Sequence, residues 1–138
     1  MIEALVGAAV GVLTIVTARL LRGERWLYSL GLPVLPGLYA MFALLAGERA
    51  VSVQEMIYGA PFVVAGFLFL FVSVRNSAVA VGVFWLLHGM YDLVHGRLLA
   101  NPGVPVWYPV FCCVVDVVVG LYVLRLALRL PDANLRRA

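Results

Sequence analysis

The chain of 138 residues is 64% hydrophobic and only 12% charged. A soluble domain of this size carries about a quarter charged residues, because most of a small globule is surface. This composition excludes a soluble globular domain, a disordered tail and a nucleic-acid-binding module, and it predicts a protein that lies in lipid. The net charge of +3 is carried by arginine, and the chain contains no lysine.

Five apolar segments are long enough to cross a bilayer. Spanning about 30 Å of hydrocarbon takes roughly 20 residues at a rise of about 1.5 Å each. We therefore predict an all-α, polytopic transmembrane helical bundle that forms a single domain, with spans at residues 2–21, 26–46, 56–74, 77–100 and 106–126. The first segment lacks a basic leader and is followed by another apolar segment, which favours a permanent helix over a cleaved signal peptide.

The second segment carries Pro33, Pro36 and Gly37. This interruption predicts a kink, and it leaves open a bundle of four spans plus a re-entrant segment. The first segment carries Gly7 and Gly11 in a G-x-x-x-G pattern, which permits close helix approach. We expect this pattern to serve packing inside the bundle in preference to dimerisation, although a homo-oligomer stays open.

Most arginines fall at one end of a bundle of five spans. Cytoplasmic loops collect basic residues, so we predict a protein integral to the cell membrane, with its N-terminus outside and its C-terminus cytoplasmic. The arginines at the predicted cytoplasmic end are Arg22, Arg25, Arg75, Arg129, Arg136 and Arg137.

The residues that can carry chemistry lie in the last two spans. The fourth span holds His88, Asp92 and His95 at positions i, i+4 and i+7. At about 100° per residue they share one helical face. The fifth span supplies Cys112 and Asp116, which are also four residues apart.

An antiparallel hairpin about Pro102 places His88 level with Asp116, and Asp92 level with Cys112. An aspartate near the bilayer centre costs about 2.5–3.5 kcal/mol on insertion scales. We therefore predict that Asp116 faces the bundle interior and pairs with His88. Glu3 and Glu55 begin the first and third spans on the outer side, so the polar groups are predicted to form a path that opens outward. The candidate pocket residues are Trp85, Tyr91, Cys112, Asn101, Glu3 and Glu55.

Three interpretations of this cluster stay open. The first is a metal site for Zn²⁺ or Fe²⁺, the second is metal-free acid–base catalysis, and the third is an inert hydrogen-bond network that fixes helix register. The leading hypothesis is a metal- or acid–base-dependent enzyme acting on a lipophilic small molecule; a transport or proton-relay protein and a structural subunit are the alternatives. The predicted catalytic residues, which are also the predicted metal ligands, are His88, Asp92, His95 and Asp116.

The same residues carry a resemblance to a known family. The chain resembles a family of small bacterial and fungal integral membrane proteins of unknown function. The resemblance lies in the stretch from Trp85 to His88, in Asp92 and His95, in the Asn101-Pro102 pair and in the Cys112-x₃-Asp116 pair. The resemblance implies a polytopic membrane protein with this motif, and it implies no reaction.

Overall fold

The computed structural model describes residues 1–71 and 74–129, which form a bundle of five α-helices joined by short turns. All five helices are long and apolar enough to cross a membrane, so five spans are confirmed over the four-span alternative. Arg136 and Arg137, and the side chains of Arg25 and Arg75, lie outside the described residues. The helices are α1 (Ile2–Leu20), α2 (Glu24–Leu45), α3 (Arg49–Leu68), α4 (Val74–Leu98) and α5 (Tyr108–Arg129).

The second helix continues through both of its prolines. Its neighbour α3 presents glycines to them: a Cβ on Gly59 would lie 2.1 Å from Cβ of Pro36, and one on Gly66 would lie 2.5 Å from Cδ of Pro33. Helices approach most closely where side chains are absent. The prolines of α2 therefore pack into a glycine face of α3, and the two helices form a hairpin.

The third helix begins at Arg49 and not at residue 56, where the hydropathy pattern placed its start. The turn before it is short because Gly47 adopts φ +82°, a left-handed conformation that glycine adopts readily. Glu48 N–H then donates to the Ala43 carbonyl at 2.9 Å, and Gly47 N–H donates to the Leu44 carbonyl at 3.0 Å. This is a Schellman end to α2. As a result, Glu55 lies inside a helix and not in a loop.

The first helix packs mainly on the fifth. A Cβ on Gly7 would lie 2.6 Å from the Phe111 carbonyl oxygen, and one on Gly11 would lie 2.9 Å from Cβ of Val118. The G-x-x-x-G pattern therefore brings α1 and α5 together inside the bundle, as predicted. The fourth helix forms a hairpin with α5 and completes the bundle.

A buried seam runs along the helices that meet at the centre. On α4 it repeats every three or four residues, through Val81, Trp85, His88, Asp92 and His95. This period is that of one helical face. One half of the seam is apolar and the other half is polar, and the polar half faces the end of the bundle where α4 turns into α5. Large apolar side chains on the outside of the bundle are exposed, including Leu5, Leu13, Leu93, Leu121 and Leu128, as lipid contact requires.

Candidate metal centre

The centre of the site is a pair of side chains from α4 and α5. Nδ1 of His88 lies 2.7 Å from Oδ2 of Asp116, and both side chains are completely buried. The prediction that these two residues lie at equal depth and pair is confirmed. The backbones approach closely here because α4 carries Gly89, where a Cβ would lie 3.2 Å from both the Cys113 carbonyl oxygen and Cβ of Asp116.

Two further side chains join this pair. Oδ1 of Asp92 lies 3.6 Å from Nδ1 of His88, one helical turn along α4. Cys112, one turn before Asp116 on α5, is a free cysteine and is 3% exposed. Donor atoms of the four side chains lie within 4.8 Å of one another, so the group can hold a metal ion.

Several polar atoms in this group have no hydrogen-bond partner among the described residues. They are Nε2 of His88, Oδ2 of Asp92 and Oδ1 of Asp116. An unpaired polar atom in a buried site costs about 1–3 kcal/mol. Two carboxylates facing one imidazole also leave an excess of acceptors, because an ionised carboxylate only accepts hydrogen bonds. A divalent cation among them would neutralise both carboxylates, and the donor set therefore fits a metal ion.

A tyrosine from α2 supports this group. The Tyr39 hydroxyl donates to Oδ1 of Asp92 at 2.8 Å, and the side chain is completely buried. The bond orients the Asp92 carboxylate and leaves its other oxygen, Oδ2, without a partner. Sequence reasoning missed Tyr39, although Tyr28, Leu32, Leu35 and Tyr39 repeat at helical spacing and all four are buried. That periodicity was the available signal.

His95 belongs to a second polar centre. Its Nε2 lies 2.8 Å from Oε1 and 3.1 Å from Oε2 of Glu55, and both residues are buried. Nδ2 of Asn101 donates to Oε1 of Glu55 at 2.7 Å and to the Tyr39 carbonyl at 3.0 Å. The Asn101 side chain is held in turn by the Gly103 N–H, which donates to its Oδ1 at 3.1 Å.

The group of four differs from the predicted ligand set at one position: Cys112 belongs to it and His95 does not. The reason is distance along the helix. Residues seven positions apart share a helical face, but they lie about 10 Å apart along the helix axis. The donor atoms around one metal ion lie much closer together, because each bond is only about 2.0–2.3 Å long. His95 therefore contacts α3, while His88 contacts α5.

An open cavity of about 540 Å³ reaches His95 from the end of the bundle. Its wall is formed by the end of α4 and the turn into α5, including Leu99, Asn101, Pro102, Val104 and Pro109. The polar path begins at this cavity, at the end of the bundle where the sequence predicted its mouth. The pair of His95 and Glu55 lies nearest the cavity, and the group around His88 lies deeper.

The other predicted pocket residues have different surroundings. The ring of Tyr91 packs between His88 and His95, with centroid distances of 5.7 and 5.5 Å. Trp85 donates from Nε1 to the Tyr28 carbonyl at 2.9 Å, so its polar atom joins α4 to α2. Glu3 lies 3.2 Å from the N-terminal ammonium and lines a separate groove with Trp107. The structure thus brings Tyr91 to the site and leaves Glu3 apart from it.

In comparisons with known proteins, no family model, curated protein or solved structure matches the chain. The chemistry of the site therefore rests on its own geometry. A buried group of one imidazole, two carboxylates and one thiol can bind a metal ion, and a histidine–glutamate pair beside a cavity can transfer protons.

Proposed function

We propose that the protein is a membrane-embedded metalloenzyme that acts on a lipophilic substrate. Its metal ion binds to His88, Asp92, Cys112 and Asp116. The observation that carries the proposal is the convergence of these four buried donors within 4.8 Å, with three of their polar atoms unpaired.

The donor set favours Zn²⁺, with Fe²⁺ as the second choice. Thiolate and imidazole ligands suit these ions, whereas Mg²⁺ and Ca²⁺ prefer oxygen alone. A tetrahedral site with bonds of about 2.1 Å has ligand atoms about 3.4 Å apart. Donor atoms that lie up to 4.8 Å apart must therefore move closer on binding, whereas Nδ1 of His88 and Oδ2 of Asp116, which lie 2.7 Å apart, must separate. The metal also takes the place of a proton, because the hydrogen bond between Nδ1 of His88 and Oδ2 of Asp116 requires a shared proton in the metal-free protein.

The cavity beside His95 is the proposed binding site for the substrate. Its wall is largely apolar, and His95 and Asn101 are its polar members. The Glu55 carboxyl group lies 2.8 and 3.1 Å from Nε2 of His95 and so fixes the orientation of the imidazole. In this arrangement His95 is placed to give or take a proton from a molecule in the cavity. The metal, when bound, would polarise an oxygen of the substrate or activate water.

A transport or proton-relay function requires polar groups on both sides of the metal group. Among the described residues, the buried side chains beyond His88 and Asp116 are mostly apolar, with Leu32, Val81 and Val119 at the centre, and the indole N–H of Trp85 is already bonded to the Tyr28 carbonyl. An apolar layer of this kind interrupts a chain of hydrogen bonds. This observation favours an enzyme with one open side over a path that crosses the membrane.

We propose further that the cavity faces the extracytoplasmic side of the cell membrane, with the C-terminus cytoplasmic. Arginine is concentrated at the opposite end of the bundle, as the positive-inside rule requires. The bilayer is then the immediate partner.

Metal analysis of the purified protein tests the site. We expect about one equivalent of Zn²⁺ or Fe²⁺ per chain, lost in Cys112→Ser and retained in Cys113→Ser. The two cysteines are neighbours in sequence, but only Cys112 belongs to the group of four donors. Loading with Co²⁺ should give a thiolate-to-metal charge-transfer band in the second variant and none in the first. Equal metal content in the two variants, or none in the unaltered protein, would contradict the site.

The enzymatic part needs a separate experiment. A lipid extract is incubated with the metal-loaded protein and with its His95→Gln variant, and the products are compared by mass spectrometry. We expect at least one lipid species to change only with the unaltered protein. If no lipid species changes although the metal is bound, the metal has a structural role and the proposed enzymatic activity is contradicted.

A further inference from the structure

A second polar site lies at the opposite end of the bundle, where α1 and α5 end. Arg19, Arg125 and Arg129 line a pocket of about 260 Å³, together with Tyr122 and Leu126. The first arginine comes from the last turns of α1 and the other two from those of α5. Two helices thus bring three guanidinium groups to one concave surface.

One of the three arginines is held in place. Nε of Arg19 lies 3.5 Å from Oε1 of Glu24, and its guanidinium carbon lies 5.4 Å from the centre of the Tyr122 ring. The Tyr122 hydroxyl donates to Oε1 of the same glutamate. Arg19 is therefore oriented before a ligand arrives, which lowers the entropy lost on binding.

The other two arginines have no such partner in the part of the chain that the structure describes. Within residues 1–71 and 74–129, no carboxylate is found within 4 Å of Arg125 or Arg129. The two are one helical turn apart on α5, and like charges at this spacing repel each other. With Glu24 as the neighbouring carboxylate, the pocket carries an excess of positive charge that an anion would neutralise.

The geometry points to a binding site for the phosphate group of an anionic phospholipid. A guanidinium group can donate two parallel hydrogen bonds to the oxygens of a phosphate or a carboxylate, and phosphate is the anion that lipid headgroups supply. The pocket lies at the ends of membrane-capable helices, where lipid headgroups are found. Exposed leucines flank it on both helices, and they offer a surface to acyl chains: Leu20, Leu21, Leu121 and Leu128.

The test is lipid retention by the full chain in mixed detergent micelles, measured by native mass spectrometry with phosphatidylglycerol and with zwitterionic phosphatidylcholine. We expect preferential retention of phosphatidylglycerol. Each arginine near a membrane surface contributes about 1 kcal/mol, so Arg125→Gln with Arg129→Gln should weaken binding about thirtyfold. Leu126→Trp, which fills the pocket without changing its charge, should also reduce binding. Arg49→Gln with Arg97→Gln, which removes the same charge at the other end of the bundle, should leave it unchanged.

Several results would overturn the inference. Equal loss of retention in Arg125→Gln with Arg129→Gln and in the charge-matched Arg49→Gln with Arg97→Gln would show that net charge alone attracts the lipid. Full retention in Leu126→Trp would show that the lipid does not enter the pocket. Displacement of phosphatidylglycerol by inorganic phosphate at millimolar concentration would identify free phosphate as the ligand. Circular dichroism on each variant distinguishes a failure to fold from a failure to bind. The test requires no metal, so its outcome is independent of the proposed metal centre.

Discussion

The pair of His88 and Asp116 predicts a strong energetic coupling between two helices. Replacing either residue alone by leucine should destabilise the protein, because the partner is then left buried without its contact. Removing one member of a buried charged pair costs about 3–5 kcal/mol. Replacing both together should cost less than either single change, because two apolar residues of similar volume need no partner.

The magnitude follows from the surroundings of the pair. Hydrogen bonds between neutral groups on membrane helices average about 0.6 kcal/mol and reach about 1.7 kcal/mol. Here both side chains are fully buried, and their other polar atoms, Nε2 of His88 and Oδ1 of Asp116, have no partner to compensate the loss. We therefore expect a coupling free energy of about 3 kcal/mol, above the range of neutral hydrogen bonds.

The assay is a double-mutant cycle on metal-free protein in bicelles, with unfolding by SDS followed by circular dichroism. A chelator is present throughout, because a bound metal would add its own stabilisation to the unaltered protein. The two single variants and the double variant give the coupling directly. Additive costs, or a coupling below about 1 kcal/mol, would refute the claim that these two side chains depend on each other.

Three further predictions concern residues around this pair. Tyr39→Phe removes the donor to Asp92 and should weaken metal binding by about 10- to 100-fold, measured by competition with a chromogenic chelator; unchanged affinity would contradict the orienting role of the hydroxyl. Asn101→Ala should lower the unfolding free energy by about 1–3 kcal/mol in the SDS assay, since it leaves two buried acceptors without this donor, and a smaller loss would mean that water replaces the amide. Gly11→Val should separate α1 from α5, because even a Cβ would lie 2.9 Å from Val118, and a cost of about 1–3 kcal/mol is expected; an unchanged unfolding midpoint would show that the contact can relax.

The helical periodicity and the equal-depth argument were enough to find the core of the site. Two helices placed polar groups at matching depth, and His88 and Asp116 do pair. Periodicity gives the face of a helix but gives no partner on other helices. For this reason it grouped His95 with His88, although the rise between them places His95 beside Glu55 of α3.

The less predictable parts of the site come from α2 and α3. Charged and polar residues near the start of α3 made its first turns look like a loop, so Glu55 was predicted as a pocket residue at a helix end and its pairing with His95 was not foreseen. The prolines of α2 obscured the helical spacing of its buried residues, and Tyr39 was therefore not recognised as part of the site. A proline is tolerated in a membrane helix when the neighbouring helix accommodates it, and only the α2–α3 contact at Gly59 and Gly66 reveals this.

The pairing of α1 with α5 has a consequence for biogenesis. Gly7 and Gly11 form the face by which the first helix meets the last one, so α1 enters the bilayer well before its principal partner is synthesised. Until α5 is inserted, the α1 glycine face lies against lipid or a chaperone of the insertion machinery. Cys112 and Asp116 of α5 arrive at the same moment, so the group of four donors is complete only when the bundle is. A chain truncated before α5 should therefore be recognised and degraded by quality-control proteases as an incomplete bundle.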